Sequence, residues 1–275
     1  TFTQTGSTRI GLLDGDAVVD LSAAAPDLPR EMCAFLAAGA DALAAAGKAG
    51  SNRTELTALA DIKLEAPILR PPKILAVGLN YRDHIEETGM KTPEFPMIFN
   101  KQSTSVTGPG KGIHIPRASD KVDYEGELGV VIGRYCRHVP KNRASEVIAG
   151  YTIAHDVSVR DWQIRVPTFT MGKSFDTHCP LGPSLVTADE VGDGSGLAIR
   201  TWVNGEERQS SNTRLVDPTL RERTADLMFT GSPHSGPIVS QIISIRTVSI
   251  HVENIPNKTG ANNRAEAATM PISRI

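Results

Sequence analysis

Residues 123–133 read Asp-Tyr-Glu-Gly-Glu-Leu-Gly-Val-Val-Ile-Gly. The apolar, β-branched run from Leu128 to Ile132 predicts a strand, and two carboxylates stand at its start. Side chains alternate faces along a strand, so Glu125 and Glu127 point the same way. Two like charges on one face repel unless something positive lies between them. A third acid has a similar setting: Asp156 closes Tyr151-Thr152-Ile153-Ala154-His155-Asp156, another short apolar strand. Three convergent oxygen donors, without a Cys or His at matching spacing, suit a hard divalent cation, Mg²⁺ or Mn²⁺. Spacing alone leaves an equal alternative, in which these are ordinary acids at solvated strand ends.

The text beyond residue 70 is rich in short strands: Ile74–Val77, Met97–Asn100, Leu128–Ile132, Tyr151–Ala154, Ser184–Val186, Leu197–Val203 and Val248–Val252. Helical signal is confined to Tyr81–Glu87, Arg143–Ala149 and Val159–Gln163. This is not the regular strand–helix alternation of a Rossmann fold or a TIM barrel. The glycines form no phosphate-binding loop. The fold class read here is α+β and β-rich, with a few inserted helices.

Residues 1–70 form a small N-terminal domain in this reading, and 71–275 a larger second one. Residues 8–20 alternate as two short strands around the turn signal Asp14-Gly15. The Ala-rich stretch from Arg30 to Ala46 predicts a helix, with Gly47 as its stop. The joint Ala66-Pro67-Ile68-Leu69-Arg70-Pro71-Pro72 suits a stiff, extended linker.

The 275 residues are 40% hydrophobic and 22% charged, near the globular average. A formal net charge of −2 gives no basic footprint for nucleic acid or an anionic membrane. The three cysteines, Cys33, Cys136 and Cys179, form no metal motif and no disulfide framework. A reducing, cytoplasmic compartment is expected. No apolar run reaches membrane-spanning length, and the first residues lack a signal-peptide pattern.

Other polar clusters carry less weight singly. His84 and Glu87 are three apart on the Tyr81–Glu87 segment, so a helical turn would pair them as acid and base. Arg160 and Gln163 are three apart just after Asp156, and Arg suits a planar carboxylate. Gly172-Lys173-Ser174 puts a lysine in a Gly-flanked loop, where it could offset charge developing beside a cation. Each has an ordinary surface alternative. His114, His178 and His234 have no clear pairing and read as structural or incidental.

In order along the chain these motifs resemble the fumarylacetoacetate hydrolase family. The matching text is Gly78-Leu79-Asn80-Tyr81 with His84 and Glu87, Gly108-Pro109, and Asp123-Tyr124-Glu125-Gly126-Glu127-Leu128. It continues through Gly150-Tyr151-Thr152, Asp156 to Gln163, Gly172 to Thr177, Pro180 to Pro183, and Val203-Asn204-Gly205-Glu206. The resemblance implies a layered β-sheet roll and a homodimer. It assigns Glu125, Glu127 and Asp156 to Mg²⁺ or Mn²⁺, and Lys173, His84 and Glu87 to catalysis. Arg160, Gln163 and Thr177 fall on substrate-contacting positions. The implied substrate is a small 2-oxo acid. The implied reaction is hydrolysis of a carbon–carbon bond in an acylpyruvate, through a metal-stabilised pyruvate enolate. Isomerisation of a hydroxydienoate diacid, such as 2-hydroxyhepta-2,4-diene-1,7-dioate, and decarboxylation of oxaloacetate share that enolate. A catalytically silent relative that binds a small diacid, or serves as an assembly partner, is the reading of a different class.

The C-terminal text departs from the family pattern. Asn212-Thr213-Arg214 is followed by Leu215-Val216-Asp217-Pro218, and the Pro-Gly-Asp turn expected before Thr230-Gly231-Ser232-Pro233 is missing. Thr230 and Ser232 remain candidates for gripping a substrate carboxylate.

Overall fold

The computed structural model describes residues 1–52, 55–89, 91–216, 238–243 and 272–274. The side chains of His84, Glu87, Thr88 and Lys141, and those beyond residue 216, lie outside that description. So do Thr230, Ser232 and the expected strand Val248–Val252.

The N-terminal unit contains β1 (Phe2–Gln4), β2 (Ser7–Arg9), β3 (Gly11–Asp14), β4 (Ala17–Asp20), α1 (Leu21–Ala24), α2 (Met32–Ala37), α3 (Gly39–Ser51), β5 (Leu56–Ala58) and β6 (Lys63–Leu64). β3 and β4 pair antiparallel across the Asp14-Gly15 turn, with Gly15 at φ +62°. The Ala-rich stretch makes two helices rather than one. Gly39 sits at φ +78°, which a continuous right-handed helix cannot accept. α3 then runs through Gly47, the expected stop, to Ser51. An interior glycine costs only about 1 kcal/mol, and burial of Ala42, Ala46 and Ala49 outweighs it. Those alanines pack with Ile10, Leu21, Phe35 and Leu36, and the cluster extends to Ile68 and Val131.

The rest of the chain contributes β7 (Ile74–Gly78), α4 (Arg82–Thr88), β8 (Met97–Lys101), β9 (Val106–Thr107), β10 (Ile113–Ile115), β11 (Val122–Asp123), β12 (Gly126–Ile132), β13 (Ile148–His155), β14 (Ser158–Val159), α5 (Arg160–Gln163), β15 (Cys179–Thr187), α6 (Ala188–Val191), β16 (Ala198–Val203), β17 (Glu206–Asn212), β18 (Ile238–Ile243) and β19 (Ile272–Arg274). The helix expected over Arg143–Ala149 is a 3-10 turn, Lys141–Val147, which gives way to β13 at Ile148. Adjacent β-branched residues favour the strand there.

Seven strands form one sheet in the order β8-β7-β18-β12-β13-β15-β9. β8 and β9 stand at opposite edges, yet only Gln102–Ser105 separates them in sequence. So short a connection forces the two edges together, and the sheet curls into a roll. The fold is thus mixed α+β and strand-rich, as read from the sequence.

Register places the acids. β12 and β13 pair antiparallel, with Gly126 opposite His155 and Glu127 opposite Ala154. Asp156 N–H then donates to Glu125 C=O at 2.8 Å, just beyond the paired strands. The two strand ends that the sequence marked with acids are therefore neighbours.

Candidate metal centre

Glu125, Glu127 and Asp156 are buried, at 4%, 1% and 0% exposure. Each offers an oxygen within 4.8 Å of the others. Burial excludes the alternative of solvated strand ends. Unpaired carboxylates do not survive such desolvation, so the cluster must hold positive charge.

That charge comes from three elements. Lys173 Nζ lies 3.0 Å from both oxygens of Glu125 and 2.7 Å from Asp156 Oδ2. Lys101, the last residue of β8, reaches Asp156 Oδ1 at 2.6 Å. Arg160 Nη1 lies 2.5 Å from Glu125 Oε1, while its Nε and Nη2 lie 2.8 and 2.7 Å from Asp123 Oδ2. Ser158 Oγ donates to Glu125 Oε1 at 2.9 Å. Burial alone would raise the Glu125 carboxyl, but Lys173 and Arg160 outweigh it and hold it well below the usual carboxylate range. Burial likewise would lower the Lys173 ammonium, and Asp156 and Glu125 raise it instead.

Lys173 reaches the centre through a tight loop crossing. A Cβ on Gly172 would sit 2.3 Å from the backbone N of Gln163, so only glycine allows the loop to lie on α5. Val159 N–H then donates to Gly172 C=O at 2.8 Å.

Behind the acids stand two histidines. His155 Nδ1 lies 3.1 Å from Glu125 C=O, and His178 Nε2 lies 2.9 Å from His114 C=O. Burial pushes His155 down to about 3 and His178 down to about 4, so both are neutral near pH 7. Each ring is held by a backbone carbonyl.

The other expected site residues divide. Gln163 Oε1 accepts from Arg160 Nη1 at 2.8 Å, so the helical spacing does bring the pair together. Arg160 also holds Asp123 and Glu125, so the pair is tied to the carboxylate cluster. Thr177 Oγ1 accepts from His114 N–H at 2.9 Å. His84 and Glu87 lie on α4, one turn apart. That helix is anchored by Tyr81, fully buried at its N-terminus, and by Ser211 Oγ donating to Asp83 Oδ2 at 2.6 Å. Lys101, Ser158 and Asp123 were not singled out for roles. A lysine closing the apolar strand Met97–Lys101 is a weak signal, because its partner Asp156 lies 55 residues on.

The donor set fits a hard divalent cation. Three carboxylates converge, all oxygen, all buried, and no thiol or imidazole joins them among the described residues.

The chain has recognisable relatives among known proteins. The model of the fumarylacetoacetate hydrolase C-terminal domain matches residues 73–218. A mitochondrial oxaloacetate tautomerase of Xenopus laevis is 44% identical over 211 residues, 75% of this chain and 66% of that protein. The chain thus spans about two thirds of that relative's length. A crystal structure of 5-carboxymethyl-2-hydroxymuconate delta-isomerase from Mycobacterium smegmatis is 38% identical, with a TM-score of 0.63 over 80% of this chain and 85% of that one. Maleylpyruvate hydrolase from Sphingobium sp. SYK-6, solved with manganese(II) and pyruvate, shares the fold at a TM-score of 0.73. It is 24% identical and covers 99% of this chain and 98% of that one.

Proposed function

The chain belongs to the fumarylacetoacetate hydrolase family, and from that premise we propose that it is a divalent-cation-dependent enzyme interconverting the keto and enol forms of a short 2-oxo acid. One observation carries the reading: a buried lysine held between two carboxylates of a three-carboxylate cluster. Glu125, Glu127 and Asp156 would hold Mg²⁺ or Mn²⁺, which supplies Lewis-acid polarisation of the 2-oxo group when bound. Lys173 offsets the negative charge that develops on the 2-oxo oxygen as the C3 proton leaves. His84 and Glu87, on α4, take that proton and return it to the oxygen, completing the exchange with no loss of atoms. Arg160 and Gln163 orient the substrate from α5, and Thr177, Thr230 and Ser232 stay as further candidates for binding it. The names of the relatives favour tautomerisation over the hydrolysis placed first by motif alone.

Hydrolysis of an acylpyruvate is the second reading. The His84–Glu87 spacing favours it, since such a pair can deprotonate water for attack on the distal carbonyl. The C3–C4 bond then breaks and C3 takes a proton. A homodimer and a reducing, cytoplasmic location belong to the same proposal. Exposed Ile164, Val166 and Met171 beside the site are apolar surface a second copy would cover, and the three cysteines are free.

The test follows the ultraviolet enol absorbance of oxaloacetate and of an acylpyruvate with and without Mn²⁺. Cation-dependent decay of the oxaloacetate enol without release of CO₂ is expected. The double variant Glu125→Ala, Glu127→Ala should lose both that decay and Mn²⁺ binding by calorimetry. Unchanged Mn²⁺ binding in the double variant would remove these carboxylates from the centre.

A further inference from the structure

Asp156 is divided between two lysines. Its Oδ1 accepts from Lys101 Nζ at 2.6 Å and its Oδ2 from Lys173 Nζ at 2.7 Å. The two ammonium groups differ in what else they hold. Lys101 Nζ also donates to the Val157 carbonyl at 3.4 Å and to the backbone carbonyl of Lys173. It therefore ties the end of β8 to both segments that present the centre, and its backbone partners do not depend on any cation. Lys173 Nζ donates instead to both oxygens of Glu125. Its hydrogen-bond partners among the described residues are all oxygens of the proposed cation ligands.

We propose that Lys101 is a positioning residue of the cation centre and that Lys173 competes with the cation for Asp156 and Glu125. The inference rests on the cation centre proposed above. With Oδ1 fixed by Lys101, Asp156 has one oxygen left to offer, and its direction is set. That oxygen, Oδ2, is the one Lys173 now holds. A cation there needs electron pairs that Lys173 draws on, and a neighbouring ammonium repels it. Lys173, released from the two carboxylates, is left beside the substrate oxygen whose charge it offsets.

The proposal separates itself from two simpler accounts by sign. If the lysines acted only as repelling charges, removing either would tighten cation binding. If both were only structural, removing either would weaken it. Here the signs are opposite.

The experiment titrates Mn²⁺ alone into the full chain by calorimetry, for the wild type, Lys101→Met and Lys173→Met. Lys101→Met should weaken binding about 10- to 100-fold, as loss of an outer-shell partner does. Lys173→Met should tighten it by roughly tenfold. Shifts in the same direction, or no shift, overturn the proposal. A wild type that binds no Mn²⁺ overturns the cation centre itself, and this inference with it. Should a variant fold only with Mn²⁺ present, release of Mn²⁺ to excess chelator replaces the titration. Faster release from the Lys101 variant and slower release from the Lys173 variant support the proposal, and any other order sinks it.

Discussion

The N-terminal unit and the carboxylate centre bury charge on different terms. In the first, Arg9 and Asp20 meet at 2.6 Å with each side chain 12% exposed, beside a core of Ile10, Phe35, Leu36 and small alanines. Asp20 also caps α1, so the pair does local structural work. In the second, Glu125, Glu127, Asp156, Lys101 and Lys173 are nearly all out of water. Taking each such ion out of water costs several kcal/mol, and an apolar replacement of similar volume is often neutral or stabilising. The N-terminal unit is explained by the need to fold. The centre is not, and that excess of buried charge is the physical mark of a site.

The same contrast governs what was legible in the sequence. The Asp14-Gly15 hairpin and the strand at Leu128–Ile132 were readable because their signals are local. Alternation predicts that Glu125 and Glu127 face the same way; β12 begins only at Gly126, and the bond from Asp156 N–H to the Glu125 carbonyl ties Glu125 to the neighbouring strand end. The break at Gly39 was missed because an Ala-rich run masks a glycine that turns the chain rather than ending it. Lys101 was missed for a different reason. Its partners lie 55 and 72 residues away, brought near only when the sheet edges meet. The pairing of Arg160 with Gln163 was legible from their spacing, whereas its hold on Asp123, 37 residues back, was not.

The contrast breaks most sharply at Lys173. Lys173→Met should lower turnover about 10²- to 10³-fold, the usual cost of one group that meets developing negative charge. The Michaelis constant should move much less, because the contact strengthens in the transition state. Lys173→Arg should recover only part, since a planar guanidinium cannot place a compact charge in the same space. Steady-state kinetics at saturating Mn²⁺ reads this. A methionine variant with wild-type turnover would make the lysine one more structural ion, like Arg9.

Acid should attack the centre side of the molecule first. His155 and His178 are held neutral, at about 3 and about 4, chiefly by burial. In the unfolded chain each takes a proton near the ordinary value of about 6.5. Between about pH 4 and 6.5 the unfolded chain therefore binds more protons, and stability falls as pH drops through that window. Above it, neither histidine adds any slope. Denaturant melts at pH 7.5 and 5 should differ by about 1–2 kcal/mol for each histidine. His178→Gln keeps a donor for the His114 carbonyl and removes one titration, so its two melts should lie closer together. Equal gaps in variant and wild type would show that acid sensitivity arises elsewhere.

The smallest effect tests whether the two regions are independent. Asp20 Oδ1 accepts from Ser22 N–H at 2.9 Å, closing the N-terminus of α1, while Oδ2 takes Arg9 Nε. Asp20→Ala removes the cap and leaves Arg9 with Gln4 Oε1 at 2.9 Å, the Ser7 carbonyl at 3.1 Å and the Phe2 ring. Because those partners remain, the loss should be about 1 kcal/mol, typical of a cap. Thermal or denaturant melting reads it. Activity per folded molecule should be unchanged. The route by which it could change is specific. Val131, fully buried in the N-terminal cluster, lies on β12, on the same face as Glu127 and four residues from it. Loosening at Asp20 would have to pass through that cluster and along a strand hydrogen-bonded on both sides. A strand so held does not shift for the loss of one helix cap. If Asp20→Ala lowered turnover as well as stability, β12 would be the coupling element, and the N-terminal unit would belong to the machinery rather than merely to the fold.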